Sequence, residues 1–228
     1  HQQARAFTDG LDVAVGATGQ AHPRNSMTLA NVAYPSSLNW ANPLTRSHEQ
    51  QALIPMFGDN PVELGLTGEE EALLARFRDD RTYQELFPAA FPGASDPFSI
   101  DAIAKALATF QRTIISGNAP YDRYLAGDRG AVSASVVRGE ALFFSERLEC
   151  HHCHSSFNLS GSVQYVGKEF RDQEFFNNGL YNIGGTGDYP EDNQGLFAIT
   201  GRKRDMGRFK APSLRNVGLT APYMHDGS

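Results

Sequence analysis

The chain has 228 residues, a formal net charge of −6, 40% hydrophobic residues and 11% aromatics, enough for one or two domains with a buried core. The acidic balance excludes nucleic acid as a partner and suits a basic electron-transfer protein instead. No apolar run approaches the roughly 20 residues that a bilayer crossing needs, so no membrane span is expected.

Residues 1–66 carry little helical periodicity and much Gly, Pro, Asn and Ser. They read as loops and short helices wrapped around something other than their own core, which a large flat cofactor would allow. Thr67 then opens a helix as N-cap, with Glu70 three residues on completing a capping box. Glu69, Glu70 and Glu71 fall in its first turn, where the helix dipole favours them, and Leu73, Leu74 and Phe77 form its buried face. The strongest helical pattern spans 99–116: Ile103, Leu107, Phe110 and Ile114 share one face, and Gly117 supplies the stop. Residues 118–130 read as a connection between domains. A second amphipathic helix follows over 135–147, with Val137, Ala141, Phe144 and Leu148 on one face. Gly139 and Phe143 form an adjacent stripe over which another helix could cross closely. Residues 155–210 read as irregular, with turn signals at 184–187 and 189–192. The glycines at 184–187 are not a phosphate loop, because no G-K-[ST] follows them and no βα unit surrounds them.

The second helix runs into Cys150-His151-His152-Cys153-His154. C-x-x-C-H is the signature of covalent c-type haem attachment: two thiols add to the vinyl groups, and the following histidine ligates iron. These are the only two cysteines. A structural zinc site would have to find its remaining ligands elsewhere. A thioredoxin-like pair would need a βαβ setting that the pattern lacks, and a disulfide across two residues would be strained. His151 and His152 read as spacers. A haem motif directly after an amphipathic helix resembles the cytochrome c fold.

A wider set of blocks resembles the bacterial di-haem cytochrome c peroxidase family, including its MauG-like members. The blocks are residues 1–10, Pro23-Arg24-Asn25-Ser26, Asn60-Pro61-Val62-Glu63-Leu64-Gly65, residues 116–124, the haem motif and residues 210–227. The last, which includes Lys210-Ala211-Pro212-Ser213-Leu214-Arg215-Asn216 and Tyr223-Met224-His225-Asp226-Gly227, is the longest and most specific. The resemblance implies a mostly α fold of two cytochrome c-like domains, with long irregular loops and haems near the domain interface. Residues 1–131 would form the N-terminal peroxidatic domain and 132–228 the C-terminal electron-transfer domain. It also implies two c-type haems. Gln2 to Gly10 matches the stretch after the family's first haem motif, so His1 would be the last residue of a C-x-x-C-H whose cysteines precede it.

In this family peroxide reacts at the N-terminal haem, where a glutamate moves a proton between the peroxide oxygens. The resemblance gives that role to Glu63, with Gln51 and Pro55 shaping the site. It gives Trp40 the part of a bridge between the haems, and a calcium ion the ligands Asn31, Thr220 and Pro222. Some members cap the first haem with a histidine until they are reduced; here that position falls near Ala17, and His22 lies off register. This departure implies an open first haem. The distal ligand of the second haem, Met or Tyr, is expected beyond Ser228, with Met206 and Met224 read as packing residues. His225 reads as support at a haem edge or propionate.

The resemblance thus implies a peroxidase that takes electrons from a small redox protein, a cytochrome c or cupredoxin, through the second haem. A MauG-like enzyme oxidising residues of a partner protein and a plain electron carrier are the alternatives, and a homodimer is compatible with each. The chain reads as a fragment, without initiator Met or signal peptide. Covalent haem attachment implies a periplasmic home.

Overall fold

In a computed structural model the structure describes residues 1–169 and 174–228; positions 170–173, within the expected irregular stretch, lie outside the described residues. Seven α-helices are found among the described residues: α1 (His48–Phe57), α2 (Glu70–Asp79), α3 (Arg81–Ala90), α4 (Ile100–Thr113), α5 (Pro120–Leu125), α6 (Ala134–Phe143) and α7 (Phe197–Thr200). The only ladder among them is antiparallel, β1 (Phe175–Phe176) with β2 (Phe209–Lys210), Phe175 opposite Lys210. The fold is mostly α, and the expected irregularity of 155–210 holds for its described part.

Helix α1 packs against α4. Met56 joins Ala102 and Ile103 of α4, Leu74 of α2 and Phe87 of α3 in one buried cluster. Its edge is aromatic: Phe87 stacks on Phe98 with centroids 5.5 Å apart, and Phe77 leans on Phe87 at 5.4 Å. The Leu73, Leu74 and Phe77 face of α2 is therefore buried or half-buried as its spacing predicts. Ser47, Asp80, Ser99 and Ser133 each accept a backbone N–H at the start of α1, α3, α4 and α6, satisfying donors that a helix leaves unpaired.

Four local expectations are corrected. Thr67 does not cap α2; its hydroxyl donates to the Phe57 carbonyl at the end of α1, and a left-handed Gly68 separates it from the helix. Helix α4 ends at Thr113 rather than Ser116, and Gly117 is not its stop. The Asn31 backbone N–H takes the Ile114 carbonyl, while the Asn31 side chain binds both the N–H and the carbonyl of Ser116, drawing 114–116 off the helix. Leu107 and Phe110 are exposed, because the face α4 buries is Ala102, Ile103, Ala104 and Ala108, small enough for close approach of α1. Helix α6 stops at Phe143 and buries no residue of its own; Phe144 and Leu148 are exposed and nothing lies near a Cβ at Gly139, so no described helix crosses there. The connection over 118–130 also contains α5, which opens on Pro120.

A second buried cluster contains Trp40, Ala41, Tyr189 and Phe209, with Met27, Leu180, Tyr181 and Met206 against it. It draws from both sides of position 131. The segment 24–41 straps the later chain: Arg24 Nε donates to Asn193 Oδ1 (3.0 Å), Asn31 Nδ2 to Asn158 Oδ1 (3.1 Å), Ser36 pairs with Ser162 (3.1 Å) and Lys210 Nζ donates to the Ser37 carbonyl (2.8 Å).

Candidate haem cavity and peroxide site

Cys150–His152 form a single 3-10 turn entered through a left-handed Glu149, and the His154 N–H donates to the Cys150 carbonyl at 3.0 Å. This turn brings both cysteines and His154 within one tight loop. The thiols are free, and burial followed by the neighbouring Cys150 pushes the Cys153 thiol up. His154 Nδ1 lies 3.2 Å from the Leu159 carbonyl. A carbonyl only accepts, so Nδ1 carries the proton and Nε2 keeps its lone pair, the arrangement that orients an imidazole toward a metal. Burial holds this histidine below its usual range, favouring the neutral ligand form.

His1 repeats the device. Its Nδ1 lies 2.6 Å from the Phe7 carbonyl, six residues on, where His154 uses the carbonyl five residues on. Both loops turn on left-handed non-glycine residues, Ala6 and Phe7 in one, Ser156 and Leu159 in the other.

Cys153 and His154 open onto a cavity of about 260 Å³ with mostly apolar walls, also lined by Trp40, Phe209, Lys210 and His225. His225 is buried and stacks on Phe209 (3.6 Å, 14°). Its Nδ1 accepts from Asn193 Nδ2 at 3.0 Å, which leaves Nε2 as the N–H donor, buried and without a partner among the described residues. Burial holds its pKa down to about 4, so the ring is neutral. An apolar cavity beside a haem motif, with one buried donor unpaired on its wall, fits a flat apolar group with polar edge substituents. Trp40 Nε1 donates to the Asn25 carbonyl (2.7 Å), and the Asn25 N–H donates to the His225 carbonyl (2.9 Å), so Asn25 holds the Trp40 ring and the His225 backbone at once.

The residues expected to shape a peroxide site come from α1 and the loop after it. Gln51 and Pro55 stand one turn apart on α1, and the Leu64 N–H donates to the Pro55 carbonyl (2.9 Å), bringing Glu63 beside that turn. The Ala17 N–H donates to the Glu63 carbonyl (2.6 Å), and a Cβ at Gly16 would lie 1.9 Å from the Val62 carbonyl oxygen; only glycine admits this approach. Glu63 is half-buried, and burial raises its pKa. Position 17 thus abuts the Glu63 backbone and carries no imidazole. His22 is held elsewhere, its Nδ1 accepting from the Arg24 N–H at 3.1 Å.

The three expected calcium ligands are not brought together. Thr220 and Pro222 line the haem cavity, but Asn31 does not; its amide is committed to Ser116 and Asn158. Asn25 lines the cavity instead, with its amide nitrogen donating to the Leu11 carbonyl (2.8 Å). The Pro23-Arg24-Asn25-Ser26 block was a signal for this residue that its neighbour in sequence, Asn31, obscured. Met224 lines the cavity, while Met206 packs in the second cluster. His151 and His152 face Glu146 at 3.6 and 3.4 Å, away from the ligand role.

The sequence profile described as di-haem cytochrome c peroxidase matches residues 1–130. The chain belongs to the di-haem cytochrome c peroxidase family. It is 32% identical over its whole length to the methylamine utilization protein MauG of Methylophilus methylotrophus, covering 61% of that protein. It is also 32% identical to the cytochrome c551 peroxidase of Pseudomonas aeruginosa, again over the whole chain and 60% of the relative. The crystal structure of a MauG-like protein associated with microbial copper homeostasis superposes on all of this chain and 65% of its own, with a TM-score of 0.96 at 45% identity. The diheme peroxidase BthA of Burkholderia thailandensis shares the fold, with a TM-score of 0.72 at 18% identity. The chain therefore spans about three-fifths of the curated relatives it matches. Membership in this di-haem family implies two c-type haems.

Proposed function

We propose that the chain forms the haem-holding body of a periplasmic di-haem c-type peroxidase. It would reduce hydrogen peroxide with electrons relayed from a small redox protein through the second haem. The observation that carries this reading is the pair of matched histidine loops, each anchoring Nδ1 on a downstream carbonyl and keeping Nε2 for iron. Cys150 and Cys153 would hold one haem through thioethers, and residues 1–131 and 132–228 would form the two cytochrome c-like units around the strap 24–41. Bound at His1, haem iron would supply the redox centre at which peroxide is cleaved.

The surrounding residues do the proton work. Glu63 accepts a proton from the proximal peroxide oxygen and returns it to the distal one, so that water leaves. Its raised pKa keeps the carboxyl nearer to exchange than a solvated glutamate. Gln51 and Pro55 bound the space beside it. Trp40, fixed through Asn25 and on the wall of the other haem cavity, passes electrons between the two centres. His225 Nε2–H is placed to donate to a haem edge carboxylate. A calcium ion would take the Thr220 and Pro222 carbonyls and the side-chain oxygen of Asn25 rather than that of Asn31.

Ala17 beside Glu63 favours a second reading, a MauG-like enzyme with a permanently open first haem that oxidises a partner protein. A plain electron carrier would have no use for a half-buried glutamate held next to α1 by its neighbour Leu64. Stopped-flow spectroscopy of the full-length protein with both haems tests the proposal. Wild type reacts with peroxide, and Glu63→Gln reacts roughly 10²-fold or more slowly with unchanged resting spectra. Because the ionised glutamate is the acceptor, the rate falls as pH drops through its pKa, and burial places that limb above 4.5. A Glu63→Gln rate equal to wild type would take Glu63 out of the proton work and count toward the carrier, and haem bands of wild type indifferent to peroxide would establish it.

A further inference from the structure

Four rings connect the haem cavity to the surface. Trp40 and His225 line the cavity with centroids 6.5 Å apart. His225 is 6.1 Å from Tyr189 and 6.2 Å from Tyr181, and the two tyrosines meet edge-on at 5.3 Å. Tyr189 is buried. Tyr181 is half-buried and opens the exposed turn 182–188.

The hydrogen-bond partners of these rings differ in one chemical respect. Trp40 Nε1 donates to a backbone carbonyl, that of Asn25 (2.7 Å). The Tyr189 hydroxyl donates to the side-chain amide oxygen of Asn177 (2.9 Å). Neither acceptor takes a proton near neutral pH. The Tyr181 hydroxyl donates to a carboxylate, Asp226 Oδ2, at 2.5 Å. Burial works against the charge of Asp226, but the Tyr181 and Ser228 hydrogen bonds outweigh it and hold the carboxyl below its ordinary range, so it is ionised and able to accept.

A phenol that loses an electron must shed its proton, and it keeps the hole only where a base receives that proton. We propose that Tyr181 is a redox-active tyrosine, the site where oxidising equivalents come to rest and leave the protein toward an external one-electron donor. This rests on the peroxidase reading, which supplies hydrogen peroxide as the oxidant. Tyr181 gives one electron inward along the ring chain to an oxidised Trp40, and its phenolic proton moves to Asp226. The products are a neutral tyrosyl radical and a protonated Asp226. A donor reaching the 182–188 turn returns one electron to the phenoxyl oxygen, and Asp226 returns the proton. Each peroxide carries two such equivalents.

The Tyr181–Asp226 pair also links the residue opening the 182–188 turn to the Tyr223-Met224-His225-Asp226 segment, so the proton acceptor and one of the two rings beside Tyr181, His225, are adjacent residues. Tyr121 too donates to a carboxylate, Glu140 at 2.8 Å, but its ring neighbour is Tyr124 and no described ring contact joins it to Trp40. It serves as the control.

The test is freeze-quench electron paramagnetic resonance of the full-length two-haem protein mixed with hydrogen peroxide and no donor, with haem absorbance followed in parallel. Wild type is expected to give a radical signal that narrows when tyrosine is ring-deuterated. Tyr181→Phe should lower that signal at least tenfold while the haem bands still respond to peroxide, and Tyr121→Phe should leave it unchanged. Asp226→Asn, which keeps the hydrogen bond but removes the base, should replace the tyrosyl signal with a tryptophan one. It decides the matter even where Tyr181→Phe folds poorly. A tyrosyl signal of wild-type size in Tyr181→Phe or in Asp226→Asn would overturn the proposal, as would a wild-type signal insensitive to tyrosine deuteration. Haem bands indifferent to peroxide in wild type would overturn the peroxidase reading and this proposal with it.

Discussion

Two asparagines six positions apart have opposite employment. Asn31 is fully buried, and its amide ends α4 by holding Ser116 and bonding Asn158. Asn25 faces the cavity that Thr220 and Pro222 share. Asn31→Ala is therefore expected to destabilise by about 2 kcal/mol, the cost of stranding buried partners, while leaving calcium affinity unchanged. Asn25→Ala is expected to weaken calcium binding at least tenfold. Calorimetric calcium titration of the two full-length variants, alongside their thermal melts, checks the assignment; weakened calcium binding in Asn31→Ala alone would make Asn31 the ligand. The haem motif ending at His154 was legible in the sequence because thioether chemistry fixes the spacing of a histidine to two cysteines. The choice between the two asparagines was not, since a lone side-chain oxygen has no spacing rule and only the fold shows which of them shares a cavity with Thr220 and Pro222.

The helices and their ties explain why several family-like blocks are spelled as they are. Asp122 of α5 accepts from the Ala119 N–H and from Arg215 Nη1 (2.7 Å), with both side chains largely buried, and Arg215 also donates from Nε and Nη2 to the Phe157 carbonyl. One pair thus joins the 116–124 block, the loop after the haem motif and the 210–227 block. Removing one partner strands the other charge, so Arg215→Ala is expected to cost about 3 kcal/mol, read as a lower urea midpoint. The pair that joins α1 to α4 is different. Arg112 bonds Glu49 at 2.8 Å and holds its carboxyl down to about 2 from an ordinary 4.5. A depressed carboxyl contributes stability that is complete above about 4.5 and is lost as pH falls toward 2. The pair is well exposed, so the contribution is under about 1 kcal/mol. Urea midpoints of wild type and Arg112→Met should differ at pH 6 and converge at about pH 2.5, the lower end of that window; a constant gap would remove the pair from the account. The existence of α4 and its start at Ser99 were readable because helix-forming signals are local, whereas its buried face was set by packing against α1 and its end by a residue 85 positions away.

At the scale of the molecule, two hydrophobic clusters stand out among the described residues, one among α1 to α4 and one that joins segment 24–41 to residues between 180 and 209. Helix α6 belongs to neither and buries nothing of its own, although it leads into the haem motif. Its order is expected to depend on the covalently held haem. Cys153→Ala, which removes one thioether, should lower the melting temperature by several degrees, on the order of what 1–2 kcal/mol does to a chain of this size, and increase amide exchange over 134–148. Unchanged exchange there would mean that other parts of the protein hold α6. Segment 1–66 and the described part of 155–210 meet through side-chain ties such as Asn31 to Asn158, Ser36 to Ser162 and Lys210 to Ser37 rather than through regular elements.

The sequence by itself determined the haem chemistry, the family and the helices with strong local signals, because covalent attachment, capping and periodicity are rules about near neighbours. Only the tertiary structure decided which residues converge on the cavity. It placed Glu63 beside Pro55, committed Asn31 to a helix end, put Asn25 between Trp40 and His225, and set Tyr181 against Asp226. The reason is physical: each of these pairings joins atoms of segments distant in the chain, and burial, not spacing, fixes where their hydrogen bonds must go.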